Sequence, residues 1–475
     1  MIAEQLNDAF QAELPYTPNA QQQAVAAALA RFCIGLIDGD AEAARPSAHR
    51  TFVVNGYAGT GKTSLIAALV RTLRRLKVNV VLMAPTGRAA KVFSAFANMQ
   101  ASTIHRRIYR HSVAGEVPGL KENRDTSTLY IVDEASMIGS DTTGNRDLLS
   151  DLLSYAFAGN NNRLILLGDT AQLPPVGDIV SPAMDLDNLR KLGLKVSAAT
   201  LTKVVRQQAR SGILANATSV RRQMGEEPLK MPSPIVEGYP DVHTVTPVDL
   251  PEVIDTSYRT CGIDETIIIT RSNRRAADFN KAVRAQVLFY EEELVRGEPI
   301  MIVKNNYYWT RVAKRRDIDF IANGDIMRIS RIIGTEIKHG FRFADVEVTP
   351  IDETGAESES APLQVKIFLE TLASDQPALP AERLGQLYKA LLHSGDYANA
   401  QNPLLALAND PYWNALQTKY AYCVTCHKAQ GGQWNHVLVD TAGISPDATG
   451  MELLRWMYTA CTRARRNLSF ITDQY

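Results

Sequence analysis

The chain lacks most of what would mark a secreted, membrane-spanning or broadly polyanion-binding protein. Five cysteines (Cys33, Cys261, Cys423, Cys426 and Cys461) are few, odd in number and scattered, which argues against a disulfide framework. Cys423 and Cys426 form one CxxC, but a structural zinc site needs two further ligands. His427 and His436 lie nearby, yet the apolar neighbours Tyr422 and Val424 favour a buried strand. No apolar run approaches the roughly 18 residues that span a bilayer, so no membrane partner is expected. The opening MIAEQLNDAFQAELPY also lacks the basic-then-apolar pattern of a signal peptide, and the expected compartment is the cytoplasm. Net charge is missing too, because 51 basic and 51 acidic residues cancel. A nucleic-acid site must therefore be a local basic channel, fed by runs such as Arg71–Lys77, Arg311–Arg316 or Arg463–Arg466. Repeats with a period of roughly 20–50 residues and low-complexity tracts are absent.

What is present is enough apolar sequence, 45% of 475 residues, for several buried cores and about three domains. The most informative stretch is Thr51–Leu69, TFVVNGYAGTGKTSLIAAL, which reads strand, glycine-rich turn, helix. Gly56, Gly61, Lys62 and Thr63 fit GxxxxGK[ST], where glycines let backbone N–H groups turn inward around a polyphosphate and the helix N-terminus adds its positive dipole end. Lys62 is expected on the β and γ phosphates and Thr63 on Mg²⁺, so the chain reads as a nucleotide triphosphatase.

Apolar runs then alternate with helices. A helix is expected over residues 17–35, a strand over Arg50–Gly56, another over Val78–Ala84, and a helix in which Ala89, Val92, Phe93 and Phe96 share a core face. Leu129–Val132 and Leu164–Leu167 are short buried strands ending in Asp133–Glu134 and Gly168–Asp169. This pattern describes a doubly wound parallel sheet with its ligand site at the C-terminal edge. Ahead of Leu129, residues 106–128 turn polar and read as a surface insert. A second alternating pattern starts at Glu265, with strands at Ile267–Ile269, Tyr420–Val424, Val437–Val439 and Leu468–Ile471 and a helix over 451–466. It is interrupted at about 290–416 by short strands (Ile300–Val303, Asp325–Ile333, Ala344–Val348, Gln364–Phe368) that suggest a small β-barrel-like insert, followed by a helical connector near 380–396.

Cleaving a γ-phosphate needs a metal held from a second strand and a group to position water, and Asp133 and Glu134 fit those two tasks. Gln172, in GDTAQLPPVG, stands where an amide could sense the γ-phosphate. Arginines that stabilise the transition state are worth about 10³–10⁵ in rate. Arg206 and Arg463 are the candidates, the latter on the face of helix 451–466 opposite Leu453, Leu454, Met457, Ala460 and Cys461.

In order, a glutamine motif near Gln21, GYAGTGKT (56–63), APTGRAAK (84–91), ASTIH (101–105), VDEASM (132–137), LGDTAQLPPVG (167–177), LTKVVRQ (201–207), VTCHKAQGG (424–432) and MYTACTRAR (457–465) resemble the superfamily 1B DNA helicases of the RecD, Dda and Pif type. The resemblance implies an α/β fold of two RecA-like parallel-sheet motor domains with a small pin insert and an SH3-like β insert. The first domain would take residues 1–205 with the pin at about 106–128, the second 206–289 and 417–475, and the SH3-like insert with its helical connector 290–416. ATP would be held by Gln21 at adenine and by Gly59, Thr60, Gly61, Lys62, Thr63, Ser64, Gln430 and Gly431. Gln22 and Gln23 compete for the adenine role, with the spacing to Ala24 favouring Gln21. Mg²⁺ would sit on Thr63 and Asp133, hydrolysis would use Lys62, Asp133, Glu134, Gln172, Arg206 and Arg463, and DNA would cross Pro85, Thr86, Thr103, His105, Thr425, His427 and Lys428. The implied activity is ATP-dependent 5′ to 3′ translocation on single-stranded DNA by a monomer, with unwinding of forked or tailed duplexes. A motor subunit of a RecBCD-like complex and a nucleotide-switched clamp that does not unwind are the alternatives.

Overall fold

The computed structural model describes residues 2–37, 49–110, 119–140, 147–204, 211–315, 320–351, 361–394, 403–442, 444 and 449–472. The chain divides into two compact units, one of Met1–His111 with Val117–Leu214, the other running from Ala215 to Tyr475.

In the first unit, β1 (Arg50–Gly56), β2 (Asn79–Ala84), β3 (Ala101–Thr103), β4 (Thr128–Val132), β5 (Arg163–Gly168) and β6 (Lys195–Leu201) form a parallel sheet in the order β3-β2-β4-β5-β1-β6. β4 and β5 are buried along their whole length, as strands covered on both faces must be. Val53, Leu166 and Val132 fall in one row across β1, β5 and β4. The end of β5 therefore emerges between the ends of the other two.

Helix Lys62–Arg75 buries Leu65, Ile66, Leu69 and Leu73 in a core shared with helix Ala20–Cys33 and with Leu6 and Phe10 of helix Ile2–Ala12. The expected Val92–Phe93–Phe96 face is rotated. Phe93 is buried with Ala89, Ala90 and Ala97, whereas Phe96 is 53% exposed. The buried arc runs from Ala89 across Phe93 and Ala97 to Ala90, which leaves Phe96 on the other margin, and alanine lets the helix sit close to the sheet. Two of the basic-run arginines, Arg71 and Arg75, are ion-paired with Glu13. Within the polar insert, Tyr109 bridges Leu120 in antiparallel sense, flanked by Arg110 N–H to Gly119 O at 2.8 Å and Lys121 N–H to Ile108 O at 2.7 Å.

In the second unit, β7 (Val242–Val245), β8 (Thr266–Thr270), β14 (Cys423–Thr425), β15 (Trp434–Asp440) and β16 (Ala464–Ile471) form a parallel sheet ordered β14-β8-β15-β16-β7. Between β8 and β14 in the chain, β9 (Pro299–Ile302), β10 (Ile326–Lys338), β11 (Phe341–Pro350), β12 (Leu363–Phe368) and β13 (Leu416–Tyr420) close a barrel in the order β10-β11-β12-β13-β9. Sheet and barrel share one core, in which Ile268, Leu438 and Ile471 pack with Ile300, Ile329, Val346 and Val365.

Two expectations are corrected here. Tyr420–Val424 is not one strand: β13 ends at Tyr420 in the barrel, and after Ala421–Tyr422 the chain enters the sheet as β14. An apolar run shows that a segment is buried but not which sheet it joins. The helix expected to reach residue 466 ends at Cys461, and Ala464–Ile471 is β16. That helix is covered nearly all round, with Trp456, Tyr458 and Thr459 buried as well as its apolar stripe. Cys423, Cys426 and Cys461 are buried thiols, and burial pushes all three above the ordinary thiol range. Among the described residues no helix is long and apolar enough to cross a membrane.

Candidate nucleotide and nucleic-acid sites

The turn after β1 takes the shape its glycines permit. Gly59 and Gly61 have φ of 74° and 80°, left-handed values that L side chains rarely adopt. Gly56 is required for another reason, since a Cβ there would lie 2.5 Å from Cγ of Lys62. Lys62 opens the helix and folds its Nζ back to donate to the Gly56 carbonyl. Thr60 is buried, its hydroxyl donating to the Tyr57 carbonyl at 2.7 Å, while Thr63 and Ser64 in the first helical turn are half-buried.

Asp133 and Glu134 leave the end of β4. Asp133 is buried and accepts the Glu134 N–H at 2.8 Å. Burial first, and the Glu134 charge second, push its carboxyl up to about 7, against the pull of that N–H and of Lys62. Lys62 and Asp133 thus act on each other across the β1 and β4 ends. Glu134 itself has φ 52° and ψ 35°, a strained conformation for a non-glycine residue of the kind that gathers at functional sites. The carboxylates of Asp133 and Glu134 and the hydroxyls of Thr63 and Ser64 are hard oxygen donors of the kind suited to Mg²⁺, which keeps several waters and takes few protein ligands.

At the end of β5, Gln172 donates its N–H to Asp169 O at 3.1 Å, and Asp169 Oδ1 accepts from Ala171 N–H at 3.0 Å. Gln172 is buried with no partner for its Oε1. An uncompensated acceptor of this kind costs about 1–3 kcal/mol, and a donor such as the water that attacks the γ-phosphate would complete it.

The glutamine motif divides its tasks. Gln22 is buried, donating to Thr60 O at 3.0 Å and to Tyr16 Oη at 3.3 Å while its Oε1 accepts the Asn19 N–H at 3.0 Å. Gln21 instead accepts from the N–H groups of Thr202 at 2.9 Å and Lys203 at 3.0 Å, and donates to Thr202 Oγ1 at 3.1 Å. Sequence reasoning missed the contact between Gln22 and the loop, although Asn19-x-x-Gln22 before an apolar run is a readable capping box.

The first unit's residues expected at DNA gather at one sheet edge. Ala84 pairs with Thr103, so Pro85–Thr86 and Ile104–His105 leave β2 and β3 side by side. Both threonine hydroxyls cap helices, Thr86 accepting from Ala89 N–H and Thr103 from Arg106 N–H, each at 3.2 Å. Burial lowers the pKa of the His105 imidazole, which lies 5.6 Å from the Tyr109 ring.

In the second unit, Thr425 pairs with Thr270 at the end of β14, next to β8. His427 and Lys428 follow, half-buried, and burial lowers the pKa of both. Gln430 is buried and Gly431 has φ 73°. Arg463 departs from the expected exposed face. It lies just past the helix, 4% exposed, donating to Thr459 O at 3.1 Å, Gly432 O at 3.3 Å and Thr462 Oγ1 at 3.1 Å. The heptad-like count placed it on a free helical face, but the helix has already ended and its guanidinium is used to tie the turn after β14 to the start of β16. Arg206 falls outside the described residues.

Residues 39–232 match the AAA domain family and residues 420–471 the UvrD-like helicase C-terminal domain. The first match covers the sheet that carries Lys62 and Asp133, the second the strands around Lys428 and Arg463. The pairing of an AAA domain with a UvrD-like helicase C-terminal domain agrees with the resemblance to the superfamily 1B helicases. It is 34% identical over 177 residues to the ATP-dependent RecD2 DNA helicase of Deinococcus radiodurans, a match to 36% of this chain and 21% of that protein. To the ATP-dependent DNA helicase dda of Enterobacteria phage T4 it is 33% identical over 129 residues, 26% of this chain and 28% of that one. The chain thus aligns with only about a fifth to just over a quarter of the length of these relatives. A crystal structure of Pif1 helicase from Bacteroides in complex with ADP-AlF3 and single-stranded DNA aligns over 96% of this chain and 92% of its own, at 14% identity and a TM-score of 0.46.

Proposed function

We propose that the protein is an ATP-dependent DNA helicase that moves 5′ to 3′ along single-stranded DNA and opens duplexes ahead of it. The observation that carries this reading is the junction of two things on one sheet. Lys62 and the Asp133–Glu134 pair stand at the β1 and β4 ends, and the strand next to β4, β2, delivers Pro85 and Thr86 beside Thr103 and His105. Hydrolysis and polymer contact then share a rigid sheet, so a change at one is felt at the other. The relatives RecD2 and dda, both ATP-dependent DNA helicases, agree with it.

In this reading Gly59–Ser64 wrap the phosphates with backbone N–H groups, and Lys62 leaves the Gly56 carbonyl for the phosphate oxygens. Thr63 and Asp133 would hold Mg²⁺, which when bound would neutralise charge on the phosphate oxygens. Glu134 orients and deprotonates the attacking water, Gln172 reports the γ-phosphate, and Arg206 and Arg463 stabilise the transition state. DNA is gripped by phosphate contact and base stacking, which is indifferent to sequence.

The test is a pair of duplexes, one with a 5′ single-stranded tail and one with a 3′ tail, incubated with protein, ATP and Mg²⁺. Opening of the 5′-tailed duplex alone supports the proposal, and the opposite preference overturns the polarity. Binding of single strands with ATPase barely stimulated and neither duplex opened would make the protein a clamp.

A further inference from the structure

Two lysines of the second unit meet where the barrel joins the sheet. Lys428 follows β14, and Lys419 belongs to the barrel strand β13; both line one small pocket with Asn273, Ser374 and Thr425. Lys419 Nζ donates to the Ser374 carbonyl at 2.6 Å. Lys428 Nζ is shut off from solvent and has no hydrogen-bond partner. Burial pushes both ammonium groups down to about 8, Lys428 being lowered further by Lys419 and Lys419 being partly supported by Asp375. Neither forms an ion pair with a carboxylate among the described residues.

The contrast with Lys366 shows that this is not how the fold usually houses a lysine. Lys366, with a side chain 6% exposed, is held by Glu336 at 2.5 Å and Asp345 at 2.9 Å. A second contrast concerns the threonines. Thr86 and Thr103 spend their hydroxyls capping helices, but Thr425 makes no such bond. Two converging cations, one lacking any acceptor, beside an uncommitted hydroxyl form an incomplete arrangement whose missing member is an anion. The free volume is about 10 Å³, room for about one water-sized group. What enters is thus a single oxygen of a larger anion lying across the mouth, which a backbone phosphate supplies and a planar base does not.

We propose that Lys419 and Lys428 together seat one phosphate of a single-stranded DNA backbone, so that the barrel strand β13 contributes directly to the grip on DNA. This rests on the helicase reading above and adds to it a residue, Lys419, and a number, one phosphate shared by two lysines.

The experiment measures binding of a fluorescent oligothymidylate across a salt series for the full chain and for Lys419→Gln, Lys428→Met and the double variant, with binding of a non-hydrolysable ATP analogue and thermal unfolding in parallel. Each single variant should flatten the slope of log affinity against log salt by about 0.7. The double variant should flatten it by no more than one, because both lysines serve the same phosphate, and Lys419→Arg should restore it. Free of DNA, Lys428→Met should unfold no lower than the parent, since it removes a buried unpartnered charge. Unchanged slopes in a parent chain that binds DNA overturn the seat, as does a loss of thermal stability with unchanged slopes. Loss of analogue binding without a change in slope would assign the anion to a nucleotide and overturn the DNA assignment. A parent chain that binds no single strand overturns the helicase reading and the seat with it.

Discussion

The side-chain amide of Gln22 donates to the backbone carbonyl of Thr60 at 3.0 Å, across 38 residues of sequence. It ties the capped start of helix Ala20–Cys33 to the turn that is shaped for phosphate. Gln22→Ala leaves the Thr60 carbonyl and the Asn19 N–H without that partner, so it should destabilise the first unit by about 1–3 kcal/mol and raise KM for ATP. Gln21→Ala should spare the loop. If Gln21 reads adenine, its loss should narrow the preference for ATP over GTP, and competition binding of the two nucleotides separates the effects.

Lys62→Ala should abolish ATP hydrolysis, because no other cation opens that helix. Glu134→Gln should keep nucleotide binding and lower turnover by about 10²–10⁴, the usual contribution of a positioned base. Single-turnover assays with labelled ATP check both. Retained hydrolysis in Lys62→Ala removes the phosphate-loop assignment.

Arg463→Ala should lower turnover at least about a hundredfold, as loss of a transition-state arginine does, and the structure adds a second effect. Its guanidinium holds the Thr459 and Gly432 carbonyls, so the variant should also unfold at a lower temperature. Lys at this position keeps the charge but not the fork. Restored thermal stability with turnover still depressed in Arg463→Lys would identify a geometric requirement in the reaction.

His436 sets a pH dependence in the second unit. It is buried, with Ser257 Oγ 2.6 Å from Nδ1 and Ser469 Oγ 2.8 Å from Nε2. Burial, then the neighbouring His243, lower it to about 4, against an unfolded value of about 6.5. Between those values the unfolded chain binds the proton and the folded one does not. Stability from this group is therefore full above about pH 6.5 and declines as pH falls toward 4, by on the order of 3 kcal/mol. Asp133, raised to about 7, acts in the opposite sense in the first unit, because there the folded state takes the proton first. Denaturant titrations at pH 7 and 5 should show a smaller difference for the second unit's transition in His436→Gln than in the parent.

Glu298 is fully buried and ties the segment before β9 to the helical turn Val283–Val287 through Arg284 Nε at 2.6 Å and to the β13–β14 link through Tyr422 Oη at 2.8 Å, while also accepting the Val295 N–H at 3.2 Å. Glu298→Ala leaves Arg284 uncompensated and should cost about 3–5 kcal/mol. Chemical denaturation followed by tryptophan fluorescence measures it.

Local rules carried the sequence reading a long way. A glycine-rich turn needs left-handed backbone whatever surrounds it, so GYAGTGKT announced its own conformation, and LYIV before Asp133 announced a covered strand. The parallel sheets followed from alternation alone, because each buried run must be returned to the same edge by a helix. What the sequence could not decide was partnership between distant segments. Tyr420–Val424 is apolar throughout, and only the competing hydrogen-bond ladders of the barrel and the sheet split it at Ala421. Arg463 looked exposed because helical periodicity was extended past Cys461, where the need to enter β16 ends the helix. The choice of Gln22 as the loop's brace, and the meeting of Lys419 with Lys428, depend on contacts between residues far apart in the chain. Such contacts are fixed by packing and have no signature in either segment taken by itself.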